Sequence, residues 1–295
     1  STPSAASDVT PIADLAAAGV ELRPLSTSTD LRIVDDLGRD VLLRGPNVNS
    51  LGEYWQGDPG HPATLPVTDD DWAEMAARGM SVVRLLITWS RIEPVRGVID
   101  QGYLDEIDAA VTAAADHGIY SVIDMHQDAY SPFVATTDPA SCPPGWTPGK
   151  GWDGAPAWAT MTDGASTCTP NGDRYAAPAV FAAFNHFYRN TDGIRDRFVA
   201  SWAAVAARFA GRPEVAGYDL LNEPPVTMPA DEMTPLYDTL LRDAITAIRQ
   251  AESAAPFPHL LFVEPALPAG DVTLGIVIPD PVRIGIDPTN LVAAP

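Results

Sequence analysis

The sequence predicts an α/β protein, a (β/α)8 barrel, and three observations carry that prediction. Short apolar runs alternate with segments of helical spacing over most of the 295 residues. Runs such as residues 81–89 are apolar on both faces, as strands buried within a parallel sheet are. Polar residues gather where the runs stop, most clearly in Tyr218-Asp219-Leu220-Leu221-Asn222-Glu223-Pro224-Pro225. Proline has no N–H to give a ladder, so the two prolines are expected to end that strand. Asn222 and Glu223 are then left on the C-terminal rim, where parallel barrels build their active sites.

In chain order, residues 31–34 and 41–43 flank a turn-rich bridge and predict a hairpin that plugs the barrel bottom. Its second arm runs on through residues 44–49 as the first barrel strand. Thr68 should cap a helix opening on Asp69-Asp70-Asp71, whose charges suit the positive end of the helix dipole. Gly79 closes it. In the second strand, 81–89, Arg84 interrupts the apolar run. A buried arginine is costly unless paired, so it serves either a structural ion pair or the holding of a catalytic carboxylate. Leu104, Ile107 and Val111, followed by Gly118, mark the next helix. The third strand, 120–128, carries Asp124, His126 and Asp128 at alternate positions, hence on one face.

Residues 131–178 form the longest irregular stretch, with Trp146, Trp152 and Trp158 between Cys142 and Cys168. A loop of that length is expected to cover a cleft, its tryptophans serving either substrate or the loop's own small core. A helix in two pieces follows over 180–209, broken near 190–193, then the strand that ends at Glu223. A helix over 231–251 leads to a fifth strand, 260–263, ending in Glu264-Pro265, and a sixth begins at Asn290. Residues 1–30 read as an N-terminal extension and 31–295 as one barrel domain in which about six of eight strands are visible.

A formal charge of −21 and a pI near 4.3 argue against nucleic acid or an anionic membrane as partner. The small-residue start, 1–8, reads as the trimmed beginning of an exported product. The two cysteines fit a disulfide in a secreted protein, and no His or second Cys pair stands at metal-ligand spacing. Neither a cofactor nor a metal is expected. A carboxylic acid beside an amide suits glycoside hydrolysis: Glu223 would protonate the leaving oxygen while Asn222 holds a sugar hydroxyl. Neighbours on a strand face opposite ways, so the two can share one site only if the chain twists or bulges there.

Leu221-Asn222-Glu223-Pro224, with Arg84 in Arg-Leu-Leu-Ile-Thr-Trp-Ser, Asp124-Met125-His126-Gln127-Asp128 and the Cys-bracketed insert, resembles the family 5 glycoside hydrolases. Within them it is most similar to the endoglycoceramidases, from about residue 31 onward. The resemblance implies a secreted, retaining endo-glycosidase that cleaves the β-glycosidic bond between oligosaccharide and ceramide, with a glycolipid or oligosaccharide as its partner. It also implies that Glu223 is the acid/base and that Asn222 contacts the hydroxyl beside the anomeric carbon. His126 and Asp128 would bind the innermost sugar, and Arg84 would keep the nucleophile ionised. The alternatives are another family 5 β-glycosidase, acting on β-glucan or from a chain end, and a glycan- or glycolipid-binding protein without catalysis.

Two features depart from the resemblance. A lysine of related enzymes in the loop after strand one has no counterpart at 49–56, which leaves glucose-linked and galactose-linked ceramide equally reasonable. The nucleophilic Glu expected at the end of strand seven is also missing. Glu264 is the nearest substitute, though a rim or structural role suits it better. The remaining strands, with that carboxylate, are therefore expected on a further segment or a second chain, and residues 1–295 alone are not expected to turn over substrate.

Overall fold

The computed structural model describes residues 21–54, 63–268 and 272–294. In chain order the strands are β1 (Leu25–Thr27), β2 (Ile33–Asp35), β3 (Asn47–Val48), β4 (Val82–Thr88), β5 (Tyr120–His126), β6 (Val215–Asp219), β7 (Pro225–Val226), β8 (Leu260–Val263), β9 (Leu267–Pro268) and β10 (Leu291–Ala293). Six of them make one parallel sheet in the order β10-β8-β6-β5-β4-β3. Helices lie between successive strands, at Asp69–Ala77, Gln101–Asp116, Pro178–Tyr188, Ile194–Phe209 and Ala230–Ala251. This is the α/β architecture of the predicted barrel, with six of its strands among the described residues.

Strand alternation divides the protein into an outer core and an inner face. Val83, Leu85 and Ile87 of β4, with Ile123, Met125, Tyr218 and Leu261, join helix residues such as Ile107, Val111, Trp202 and Leu241 in the main core. The alternate side chains Val82, Tyr120 and Val122 turn the other way and join Ala216 and Leu260 beneath Leu25 of β1. Leu22, Ile33, Val41 and Leu43 pack against this second cluster, which closes the N-terminal end of the sheet. Higher on the same inner face the side chains become Arg84, Asp124, His126 and Asp219.

Two of the five helices have side-chain caps at their N-termini. Thr68 and Asp71 form a reciprocal capping box, and Gly79 follows the helix at φ +72°. Asp100 accepts the N–H of Tyr103 at the next helix, whose end is followed by Gly118 at φ +71°. Between the paired helices, Asn190, Asp192 and Gly193 are all left-handed, which no continuous helix tolerates.

Two expectations change. The hairpin is built with an upstream partner: β2 pairs antiparallel with β1, and its link to 40–41 is reduced to the Val34–Asp40 bridge and one bond from Val41 N–H to the Ile33 carbonyl. Strand β6 also ends at Asp219, five residues before the prolines; Pro225 itself lies in a short parallel ladder with Leu267. Proline tolerates that position because its carbonyl, not an N–H, faces Tyr188, whose hydroxyl donates to it at 3.0 Å. The expected small-residue start, 1–8, and Trp55 and Gln56 of the loop after strand one lie outside the described residues.

The long 131–177 segment is ordered by its own contacts. Cys142 and Cys168 form a disulfide, closing a loop whose entropy in the unfolded chain is worth on the order of 3 kcal/mol. Thr147 and Thr169 pair beside it. Trp158 stands edge-on to Trp89 and donates its indole N–H to the Glu93 carbonyl, so this tryptophan fastens the loop to the main core. Trp152 is more exposed and carries the Arg174 guanidinium 4.5 Å above its ring.

Candidate active site

Arg84 is the hub of the rim. Its guanidinium lies 3.0 Å from Asp124, 2.8 Å from Asp219 and 3.1 Å from Glu264, and it donates to the Asn222 side-chain oxygen at 3.0 Å. The ladder explains the convergence, because parallel pairing sets Asp124 of β5 level with Asp219 of β6. One positive charge faces three carboxylates, all nearly buried. Burial opposes the charge on Arg84, but these carboxylates outweigh it and raise its pKa. The excess negative charge is relieved by protons instead. Burial pushes Asp219 upward, reinforced by Asp124, and pushes Glu264 up to about 7 against the pull of the Glu223 N–H and Arg84.

The expected twist at the Asn222–Glu223 pair is present as a left-handed residue. Glu223 has φ +41°, a conformation that costs a side-chain-bearing residue about 1–3 kcal/mol and persists only where its surroundings hold it. Asn222 donates its backbone N–H to the Met125 carbonyl at 3.2 Å and its side-chain amide to the Gln127 carbonyl at 2.9 Å. The Gln127 amide returns bonds to the carbonyls of Asn222 (2.8 Å) and Glu223 (3.1 Å). The Glu223 N–H goes to Glu264 at 2.9 Å. Asn222 is thereby buried on the inner face while the Glu223 side chain stands exposed above the cleft.

His126 and Asp128 lie where the alternation of β5 predicts, on one face with Asp124. His126 Nδ1 is 2.7 Å from Asp124 and Nε2 is 3.8 Å from Asp128. Burial disfavours the imidazolium, yet the hydrogen bond to Asp124 and the nearby Asp128 carboxylate prevail and raise its pKa to about 10. Asp128 also accepts from Arg174 (2.6 Å) and the Tyr175 hydroxyl (3.1 Å). Its own burial is outweighed by His126 and Arg174, which hold it below the ordinary carboxylate range. Arg84, Asn222, Glu223, His126 and Asp128 thus line one cleft of about 620 Å³, with Val82, Val122 and Phe262 toward its floor.

Sequence reasoning missed Asp153, Arg174 and Tyr175, all supplied by the long loop, and the part played by Asp219. Asp153 is fully buried with Tyr54 facing its carboxyl, and burial raises its pKa to about 6. It is fixed by Gly154, where φ is +125° and an added Cβ would fall 2.3 Å from the Tyr130 carbonyl, so only glycine fits. The Trp-Asp-Gly run within a Pro/Gly-rich loop was the available signal. His126, Asp128 and Asp153 place potential ligand atoms within 4.8 Å of one another. The Arg174 guanidinium, 2.6 Å from Asp128, opposes a cation there.

These shifts fix the pH dependence of stability. A carboxyl whose pKa rises on folding stabilises the fold below its ordinary value near 4, and that contribution disappears as pH passes the folded value. Glu264 and Asp153 lose theirs between about 4 and 7, and His126 loses its own between 6.5 and about 10. Asp128 acts oppositely, but only below the ordinary carboxylate range. The melting temperature is therefore expected to fall steadily from pH 5.5 to pH 9 in differential scanning calorimetry; a rise over that interval contradicts the assignments.

A parallel α/β sheet whose inner rim presents an exposed glutamate, an adjacent buried amide and a histidine–aspartate pair follows the plan of the barrel glycoside hydrolases. The chain belongs to glycosyl hydrolase family 5, whose cellulase model matches residues 34–293. Among solved structures it is similar to the crystal structure of endogalactoceramidase, at 43% identity and a TM-score of 0.85, covering 92% of this chain and 59% of that one. It is also similar to the ganglioside GM3 complex of endo-glycoceramidase II from Rhodococcus sp. (33% identity, TM-score 0.64, covering 79% and 51%). Endoglycoceramidase I of Rhodococcus hoagii strain 103S is 31% identical over 220 residues, covering 73% of this chain and 38% of that protein. The chain spans less than two thirds of the length of each of these proteins.

Proposed function

We propose that the protein is a secreted, retaining endo-glycosidase that hydrolyses the β-glycosidic bond between an oligosaccharide and ceramide. The observation that carries the reading is the left-handed Glu223, whose exposed side chain lines a cleft floored by apolar residues and walled by His126, Asp128 and Asn222. Glu223 is the acid/base: it protonates the leaving ceramide oxygen, then takes a proton from the water that releases the sugar. Asn222 bonds the hydroxyl beside the anomeric carbon; His126 donates to, and Asp128 accepts from, the innermost sugar.

Arg84 keeps the nucleophilic carboxylate ionised, its guanidinium opposing the upward push that burial gives the acids around it. Glu264 is not assigned as that nucleophile, because its Oε2 is engaged by the Glu223 N–H at 2.9 Å. The nucleophile is assigned to a further segment or second chain, placed about 5 Å from Glu223 as retention requires. The Cys142–Cys168 disulfide supports an oxidising, extracellular location. The names of the endogalactoceramidase and endo-glycoceramidase relatives support ceramide as the aglycone.

Incubation of the complete protein with galactosylceramide, lactosylceramide and a cello-oligosaccharide tests the proposal. The expected outcome is intact sugar and free ceramide from at least one glycolipid, with the β-anomer appearing first by proton NMR and little cleavage of the cello-oligosaccharide. Cleavage confined to the cello-oligosaccharide makes the protein a β-glucanase, and binding without cleavage of any of the three makes it a glycan-binding protein.

A further inference from the structure

We infer that Glu264 is the positioning residue of the acid/base: its carboxylate, anchored by Arg84, holds the backbone of Glu223 in the left-handed turn that aims the Glu223 side chain at the leaving oxygen. The inference rests on the reading of Glu223 as the acid. It begins from strain. At φ +41° Glu223 is held away from the conformations a glutamate prefers, so the groups that bind its peptide units determine where its carboxyl points.

Those groups come from two sides. On the β5 side Gln127 binds the Asn222 and Glu223 carbonyls. On the β8 side the only bond to the Glu223 N–H among the described residues is the 2.9 Å contact to Glu264 Oε2. Glu264 is itself fixed at both ends. Its Oε1 receives Arg84 at 3.1 Å, and its backbone carbonyl receives the Tyr237 hydroxyl at 2.8 Å. Immediately beyond, the Leu267 N–H donates to the Pro224 carbonyl and β9 pairs with β7. The turn is thus clamped between two strand ends, with Glu264 as its charged fastening.

An N–H held by an anionic acceptor forms a stronger bond than one held by a neutral acceptor. Arg84 reaches Glu264 and Asn222 with the same nitrogen, so the Asn222 side chain and the carboxylate that holds the Glu223 N–H are set against one reference point. The charged and titratable groups around Glu264 are Arg84, Asp124, Asp219, Glu223 and Tyr237. Burial among them raises its pKa to about 7, so its grip on the turn is strongest above neutrality.

A residue that aims an acid has a signature that one merely supporting the fold lacks. A leaving group that needs a proton suffers when the acid is misplaced, and one that departs unaided does not. The complete protein and its Glu264→Ala and Glu264→Gln variants are to be compared by kcat/KM on two glycosides of the same sugar. One has an alkyl aglycone; the other carries 2,4-dinitrophenolate. Because kcat/KM reports only steps through the first bond cleavage, later base catalysis by Glu223 does not enter.

Glu264→Ala is expected to lower the alkyl value about tenfold to a hundredfold, the scale of a misplaced catalytic group, and the dinitrophenyl value by less than about threefold. Glu264→Gln keeps one acceptor oxygen for the Glu223 N–H but turns its amide nitrogen toward Arg84, and should recover only part of the alkyl rate. Should the alanine variant not fold, Glu264→Asp, which draws the carboxylate back by one methylene, carries the same comparison. Equal losses on both substrates, or no loss on either, overturn the inference. Glu223→Gln in the same assay separates the two readings: if it too shows no leaving-group dependence, the acid assignment fails and not only the role of Glu264.

Discussion

Replacement of Glu223 by glutamine in the complete protein is expected to lower glycosylceramide hydrolysis by about three orders of magnitude while leaving glycolipid affinity within about threefold. The rate loss follows from the size of a general-acid contribution, roughly 10²–10⁴, acting on an alkyl oxygen that leaves poorly without a proton. Affinity should hold because the sugar contacts assigned to Asn222, His126 and Asp128 do not pass through the Glu223 carboxyl. The fold should hold as well. The side chain is exposed, and the bond from Glu223 to Glu264 uses the backbone N–H, which glutamine retains. Turnover of purified variant on a glycosylceramide in detergent, with calorimetric binding beside it, makes the measurement. Unchanged turnover removes Glu223 from the chemistry, and unchanged binding without turnover in either form makes the protein a glycolipid binder.

What could be read from the sequence divides along a physical line. Strand and helix order was legible because β4, β5, β6 and β8 carry dense apolar runs and the helices carry Thr68, Asp100, Gly79 and Gly118 at their ends. Such signals are local, written in residues near one another in the chain. The face shared by Asp124, His126 and Asp128 was legible for the same reason, since it needs only the two-residue period of a strand. The end of β6 was misread because the proline rule concerns donors, and Pro225 sits where its carbonyl serves.

The upstream partner of β2 was missed because the 25–27 run is only three residues long and acquires its identity from the cluster it covers. Asp153 and Arg174 were missed for a different reason. Their importance comes from where a 47-residue loop, 131–177, folds back over β5, and no periodicity encodes that return. The role of Glu264 depends on a left-handed φ at a residue 41 positions earlier, which propensity alone assigns to glycine or asparagine rather than glutamate.

Arg84 carries the second large effect. Substitution by methionine fills a similar volume but leaves Asp124, Asp219 and Glu264 facing one another without a cation, all of them less than a tenth exposed. Breaking a buried pair by removing one partner costs about 3–5 kcal/mol, so Arg84→Met should lose that much stability near pH 8, where Glu264 is ionised in the parent protein.

The sign of the pH dependence follows from which species remains. Without the guanidinium the carboxyls shift further upward and take up protons as pH falls, and a protonated carboxyl needs no counter-charge. The deficit should accordingly shrink to about 1–2 kcal/mol at pH 5. Lysine at this position keeps the charge but cannot reach Asp124, Asp219, Glu264 and Asn222 together as the planar guanidinium does. Arg84→Lys should therefore fall between parent and methionine variant in stability, and should impair catalysis, because Asn222 loses the donor that orients its side-chain oxygen. Urea unfolding of the three proteins at pH 5 and pH 8 decides the matter. A methionine variant equally destabilised at both pH values would mean that the guanidinium contributes packing rather than charge, and the Arg84 cluster would then be no reservoir of cationic field for a nucleophile.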